Sequence, residues 1–94
     1  MKVTDILRNK IVDNLSPQKF DIIDESAKHK GHAGARPGGE SHFAVLIVSD
    51  KFAGKSRVER QKMVYSIFKY EMKKQIHALR FIGLFTPDEY RDSV

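Results

Sequence analysis

Apolar and polar residues alternate along this chain in two different periods, which predict helices and strands. Near the start, one apolar residue recurs every four positions, and this spacing is typical of a helix with a single buried face. The apolar positions of this first helix are Val3, Leu7, Ile11 and Leu15. Ser16-Pro17 follows, and because the residue before a proline avoids the helical region, the helix is expected to end there.

Three segments have the pattern of strands. Residues 20–25 form a short apolar–acidic run, and residues 41–48 are apolar on both faces, which predicts a strand in the middle of a sheet. Residues 76–85 predict the last strand. Strict alternation there places Ile76, Ala78, Ile82 and Leu84 on one side, and His77, Leu79, Phe81 and Phe85 on the other.

Two further helices are marked by capping signals. Ser56 and Glu59 have the spacing of a capping box and begin a helix with a buried stripe, and Thr86-Pro87 with Glu89 opens a short terminal helix. The stripe consists of Val64, Ile67, Phe68 and Met72. The order α-β-β-α-β-α predicts an α+β fold, with one three-stranded mixed sheet and helices on one face.

A long glycine-rich loop interrupts this pattern. Residues 27–40 contain four of the six glycines and no apolar periodicity, so they are predicted to form a flexible loop between the first two strands. Loops of this length in a small domain are usually functional or disordered. Residues 1–94 as a whole are predicted to form a single domain.

Composition limits the chemistry that the chain can perform alone. It has no cysteine, which excludes disulfides, cysteine nucleophiles and thiolate metal sites built from this chain. Its four histidines are therefore the best nitrogen ligands available. No run reaches the length of a membrane span and no secretory signal is evident, so we expect a cytoplasmic protein or one in an organelle matrix of bacterial descent.

The net charge of +5 comes from one segment. Residues 51–74 carry eight basic and two acidic side chains, while the flanking segments are neutral or slightly acidic. Such a segment can be a solvated helix face, or it can contact nucleic acid or an acidic protein surface. The candidate contact residues are Lys51, Lys55, Arg57, Arg60 and Lys62.

The residues alone leave two interpretations open for each histidine. His77 opens a strand beside apolar neighbours and is either a hydrogen-bonded structural residue or a ligand, and His29 and His32 are either exposed loop residues without a function or ligands. We interpret His42 as structural. Glu25, Ser26 and His29 have no oxyanion hole or orienting acid, so we expect no enzyme activity.

Six short motifs together resemble the BolA family over about residues 20–90. They are Glu25-Ser26-x-x-His29, Ser41-His42-Phe43, Val48-Ser49-Asp50-x-Phe52-x-Gly54, Arg60-x-x-x-Val64-Tyr65, Ile76-His77-Ala78-Leu79 and Thr86-Pro87-x-Glu89. The chain departs from the family in having Arg60-Gln61-Lys62 where Arg-His-Arg is frequent, and Tyr90 where tryptophan is frequent.

The resemblance implies an αββαβ fold related to KH type II domains and a non-enzymatic function. It implies a monothiol glutaredoxin as partner, with a [2Fe–2S] cluster shared between the glutaredoxin cysteine, glutathione and histidines of this chain. By the motifs, the ligands are His77 and a loop histidine, for which His29 and His32 compete. A DNA-binding regulator is the alternative that the family and the basic segment suggest, and a homodimer remains open.

Overall fold

A computed structural model describes residues 2–25 and 42–93. The predicted loop 27–40, with His29 and His32, lies outside the described residues. Within them, the elements follow the predicted order, and no helix is long and apolar enough to span a bilayer.

The sheet has three strands, β1 (Lys19–Asp24), β2 (His42–Val48) and β3 (Ala78–Phe85). β2 lies in the centre, antiparallel to β1 and parallel to β3. This arrangement confirms the predicted mixed sheet. Because both of its faces are apolar, β2 is the most buried strand, with Phe43 and Ile47 on one face and Ala44 and Val48 on the other each at most 1% exposed.

The predicted alternation of β3 is wrong beyond Ile82. A register shift opposite Val45 and Leu46 leaves Ile82 without a partner on β2, which is the geometry of a β-bulge. After the bulge the phase is reversed, so that Leu84 packs against the core together with Leu79 and Phe81. A one-residue insertion reverses all later side chains because the strand period is two.

Helix α1 (Val3–Leu15) buries the predicted stripe and ends at Ser16, whose φ of 42° is left-handed and whose N–H donates to the Val12 carbonyl. The predicted second helix is divided into α2 (Arg57–Ile67) and α3 (Lys69–Lys74), because Phe68 leaves the helical region between them. Helix α4 is Pro87–Ser93. Reciprocal hydrogen bonds confirm both predicted capping boxes, Ser56 with Glu59 and Thr86 with Glu89.

The core lies between the helices and one face of the sheet. It joins the α1 stripe to Val64 and Phe68 of the α2–α3 region and to Phe43 and Ile47 of β2. An ion pair connects α1 to α3, since Lys10 Nζ lies 2.8 Å from a carboxylate oxygen of Glu71, whose side chain is 4% exposed.

Buried Ser49 joins three elements at the end of β2. Its Oγ donates to the Leu15 carbonyl at 2.5 Å and its N–H donates to the Phe85 carbonyl at 2.9 Å. Ser49 Oγ also accepts from Lys51 N, which caps a 3-10 turn at Asp50–Phe52. The Val48-Ser49-Asp50 motif is therefore used to fix α1, β2 and β3 to one another.

Candidate functional site

His77 lies at the start of β3, where it is exposed. The residue before it, Ile76, is 4% exposed, and its N–H donates to the Glu71 carbonyl at 2.9 Å. The backbone on one side of His77 is thus fixed by burial and a hydrogen bond, and the strand begins on the other side. The histidine that the family resemblance selects is accessible from outside.

His42 is the neighbour of His77. It begins β2, and the parallel register pairs it with Ala78, the residue after His77. The two imidazole rings have centroids 6.1 Å apart, with an angle of 33° between their planes. Parallel pairing causes this proximity, because strands that run in the same direction begin at the same end of a sheet.

Residues 26–41 are joined to the fold at this same end of the sheet. The last described residue before them, Glu25, donates its N–H to the His42 carbonyl at 2.7 Å. His29 and His32 lie among these residues, outside the part of the chain that the structure describes, and their role as ligands stays a prediction.

A charged pair borders the two histidines. Arg80 on β3 donates from Nε and Nη2 to the two carboxylate oxygens of Glu25, at 3.1 and 2.8 Å. This hydrogen bonding raises the pKa of the Arg80 guanidinium. Since Glu25 is on the far side of β2, the pair crosses the central strand and ties the ends of β1 and β3 together.

The donor set at this end fits one part of a metal centre. Neutral imidazoles bind iron and other borderline metals. Among the residues that the structure describes, no group of three or more histidine, cysteine, aspartate or glutamate side chains is placed to hold a metal ion. The pair therefore supplies two ligands at most, and the others must come from the loop or from a partner.

The predicted basic residues surround helix α2 at the other end of β3. Lys55, Arg57 and Arg60 line a cleft of about 590 Å³ whose opposite wall is Phe81–Phe85. Lys62 lines a second cleft with the end of α1, and Lys51 is exposed in the 3-10 turn. We call Lys51, Lys55, Arg57 and Lys62, which are all exposed, the basic surface.

Arg60 differs from the other basic candidates because its guanidinium is occupied within the fold. It donates to both carboxylate oxygens of Glu89, at 2.5 and 3.1 Å, and to the carbonyls of Leu84 and Lys55. Its side chain is 12% exposed. These bonds to Arg60, together with that from the Thr86 N–H, lower the pKa of Glu89 to about 2.

The two candidate sites are well separated. His77 precedes Ala78, and the basic cleft is lined by the second half of β3, which ends at Phe85. At about 3.3 Å per residue, the cleft lining begins at Phe81, roughly 13 Å along the strand from His77, and ends at Phe85, roughly 26 Å from it.

Two contacts had no signal in the sequence. His42 and His77 are 35 positions apart, and only the pairing of β2 with β3 brings them together. Arg60 and Glu89 are 29 positions apart and belong to two separate motifs. Arg60 belongs to the motif of the second helix and Glu89 to the capping box of the terminal helix. These motifs predict local structure and give no indication of the ion pair between the two residues.

Comparisons with known proteins agree with the motif resemblance. The family model described as BolA-like protein matches residues 11–89. SufE-like protein 1, chloroplastic/mitochondrial, of Arabidopsis thaliana is 39% identical over 87 residues, which are 88% of this chain and 23% of that protein. The DNA-binding transcriptional regulator BolA of Escherichia coli (strain K12) is 34% identical over 79 residues, covering 84% of this chain and 71% of the regulator. The solved structure of the BolA domain of SufE1 from Arabidopsis thaliana has a TM-score of 0.79 and 38% identity, with 90% of this chain and 92% of that chain covered.

Proposed function

Because this chain belongs to the BolA-like protein family, we propose that it is a non-enzymatic adaptor in iron–sulfur cluster trafficking. In this proposal it binds a monothiol glutaredoxin, and its histidines share a [2Fe–2S] cluster with the glutaredoxin cysteine and glutathione. His77 is one ligand. The supporting observation is that exposed His77 lies beside His42, at the end of the sheet where residues 26–41 begin and end.

The chemistry of the donors supports a shared site. This chain has no cysteine, so the thiolates of a cluster must come from elsewhere. When bound, the cluster supplies one-electron redox chemistry, and two neutral histidines on one iron raise its potential relative to four thiolates. The role of this chain is to present imidazole nitrogens at an accessible edge, and exposed His77 can do so without rearrangement of the core.

The experiment mixes the full chain with a cluster-loaded monothiol glutaredoxin and glutathione. We expect a complex by gel filtration and a changed visible circular dichroism spectrum, because imidazoles replace thiolates on one iron. His77→Ala should abolish the spectral change. Lys74→Ala, an exposed substitution at the end of α3, is the matched control and should leave it intact. A wild-type chain that leaves the glutaredoxin spectrum unchanged would refute the proposal.

A second candidate function is binding of DNA through the basic surface. It is favoured by the relative in Escherichia coli, which is named a DNA-binding transcriptional regulator, and by the excess positive charge of residues 51–74. The separation of the basic surface from His77 allows both functions in one chain. We expect binding to weaken steeply with salt, because each neutralised phosphate releases counterions.

This second function is tested by titrating duplex and single-stranded DNA at low and high salt. Lys55→Ala and Arg57→Ala should each reduce the salt dependence by about one unit of slope. Arg8→Ala, an exposed substitution on α1 outside residues 51–74, serves as the charge-matched control. Absence of binding at low salt would exclude the second function, since the electrostatic attraction is strongest there.

The cellular location of this chain is part of the proposal. One relative is named chloroplastic/mitochondrial, and we expect this chain in the cytoplasm or in an organelle matrix of bacterial descent. Fractionation of the native cell with detection of the protein tests this expectation. Recovery with secreted proteins would contradict it.

A further inference from the structure

The outer edge of β3 lies along the cleft between this strand and α2. Within the described part of the chain β3 pairs with β2 alone, so its other side is an edge of the sheet. The Phe85 carbonyl accepts from the Ser49 N–H at the end of β2, while the preceding Leu84 carbonyl accepts from Arg60, which lines the cleft. Since successive carbonyls of a strand point to opposite sides, the outer edge of β3 faces the cleft. An exposed edge is a template for pairing with another extended chain.

The apolar wall of this cleft suits an extended peptide. Ile82 lies at the bulge, has no pairing partner on β2 and is 43% exposed. The aromatic rings of the wall already pack within the fold, since Phe81 contacts Tyr65 edge-on with ring centroids 5.3 Å apart. Phe85 in turn lies beside Tyr90, with ring centroids 6.1 Å apart. The wall therefore offers edge-strand backbone and an aliphatic side chain, which favour a peptide over the stacked bases of single-stranded nucleic acid.

The opposite wall carries positive charge that selects an acidic peptide. Lys55 and Arg57 are exposed there. Arg60 of the same wall already holds both carboxylate oxygens of Glu89, which is an example, within the chain, of a carboxylate bound at this cleft. The other edge strand, β1, carries Lys19 and two aspartates. An acidic segment is therefore attracted to the edge of β3 and not to that of β1.

We propose that this cleft binds an extended acidic segment of a partner protein, which pairs with residues 81–83 as a fourth strand of the sheet. Because the side chains of a strand alternate between its two faces, acidic residues at every second position of the segment meet Lys55 and Arg57. The aliphatic residues between them contact Ile82. Main-chain hydrogen bonds supply the affinity, and the charges select the partner. This interaction goes beyond the shared cluster and does not depend on it.

The experiment titrates the full chain into a fluorescein-labelled peptide in which glutamate and valine alternate, and fluorescence anisotropy reports the binding. We expect saturable binding. Lys55→Ala and Arg57→Ala should each weaken it about two- to fivefold, which is the range for exposed charge pairs. Lys62 is an exposed residue of α2 that lines the other cleft. Lys62→Ala is therefore the matched control and should leave the affinity unchanged.

Methylated peptides separate strand pairing from simple charge attraction. Alternate amides of a strand point to opposite sides, so either the glutamate or the valine amides of the bound peptide face β3. Methylation of the set that faces β3 removes main-chain hydrogen bonds and should weaken binding about tenfold or more, while methylation of the other set should be tolerated. Equal binding by the two methylated peptides would overturn the inference.

Amide spectra of the ¹⁵N-labelled chain locate the bound peptide. We expect shifts at residues 81–83 and none at residues 20–23 of β1. Shifts at β1 instead, or no saturable binding at millimolar peptide, would overturn the inference. It would also be overturned by a single-stranded oligonucleotide that binds with the same dependence on Lys55 and Arg57 where the peptide does not. The glutaredoxin experiment depends on His77, so the proposed function is unaffected by these outcomes.

Discussion

Replacement of Arg60 by alanine tests whether this residue holds the fold together or belongs to a binding surface. The substitution removes hydrogen bonds from the guanidinium to Glu89, to the partly buried Leu84 carbonyl and to the Lys55 carbonyl. It also removes the guanidinium from above the Phe52 ring, whose centroid is 5.9 Å away. Three elements, α2, β3 and α4, lose a common contact.

The size of the effect follows from these contacts. The charged bond to the Leu84 carbonyl contributes about 1.5 kcal/mol, and the exposed bond to Lys55 contributes less. The pair with Glu89, whose side chain is 46% exposed, contributes about 1 kcal/mol because solvent screens it. We therefore expect Arg60→Ala to reduce the free energy of unfolding by about 2–3 kcal/mol and the Tm by roughly 10–20 °C.

Urea and thermal unfolding followed by circular dichroism measure this change. Arg57→Ala removes the same charge from the same helix but from an exposed side chain, and it should change stability by less than about 0.5 kcal/mol. The free energy of unfolding of Arg60→Lys should lie between those of Arg60→Ala and Arg57→Ala, since lysine keeps the charge and lacks the planar guanidinium group. If Arg60→Ala and Arg57→Ala unfold at the same temperature, the structural role assigned to Arg60 is wrong.

Three further predictions concern the same framework. Because the folded-state pKa of Glu89 is about 2 and the ordinary value is 4.5, its ion pair stabilises the fold above pH 4.5 and is lost as the pH falls toward 2. The stability difference between wild type and Glu89→Gln, about 1 kcal/mol at neutral pH after allowance for exposure, should vanish over that range in urea titrations. Lys10→Met should reduce the free energy of unfolding at pH 7 by about 2 kcal/mol, because it leaves the buried Glu71 carboxylate without its cation. Adding Glu71→Gln to this variant should restore part of the lost stability. Losses that simply add in the double variant would contradict this prediction. Gly83→Ala should reduce the free energy of unfolding by about 1–3 kcal/mol, since the new Cβ would lie 2.1 Å from the Phe85 ring. Phe85→Leu in the same chain should make this reduction smaller, which a double-mutant cycle measured by thermal unfolding tests.

The sequence was sufficient for the element types and the order of the fold. β2 could be placed in the centre because an uninterrupted apolar run fits only a strand covered on both faces. The phase of β3 beyond Ile82 could not be predicted, since a bulge depends on pairing with β2 and has no residue signature here. Nor could the break at Phe68, because that side chain is fully buried and continues the apolar stripe across the end of α2.

The candidate site was only partly predictable. His77 came from a motif resemblance, and its exposure is a structural finding. The proximity of His42 depends on a parallel strand pair and on the helices that connect its members, and local sequence has no information on either. For the basic residues, sequence alone could not distinguish Arg60, which is bonded within the fold, from Arg57, which is exposed.

The parallel pairing of β2 with β3 also decides when the two histidines meet during folding. Contacts between residues as distant in sequence as His42 and His77 raise the contact order of the chain. The segment between them closes late in folding, because its conformational entropy is lost before the contacts that stabilise it can form. The two rings come together only when α2 and α3 have returned the chain to the start of the sheet. Any partner that binds this end of the sheet therefore binds the completed topology and not its precursors, so it stabilises the native state by mass action.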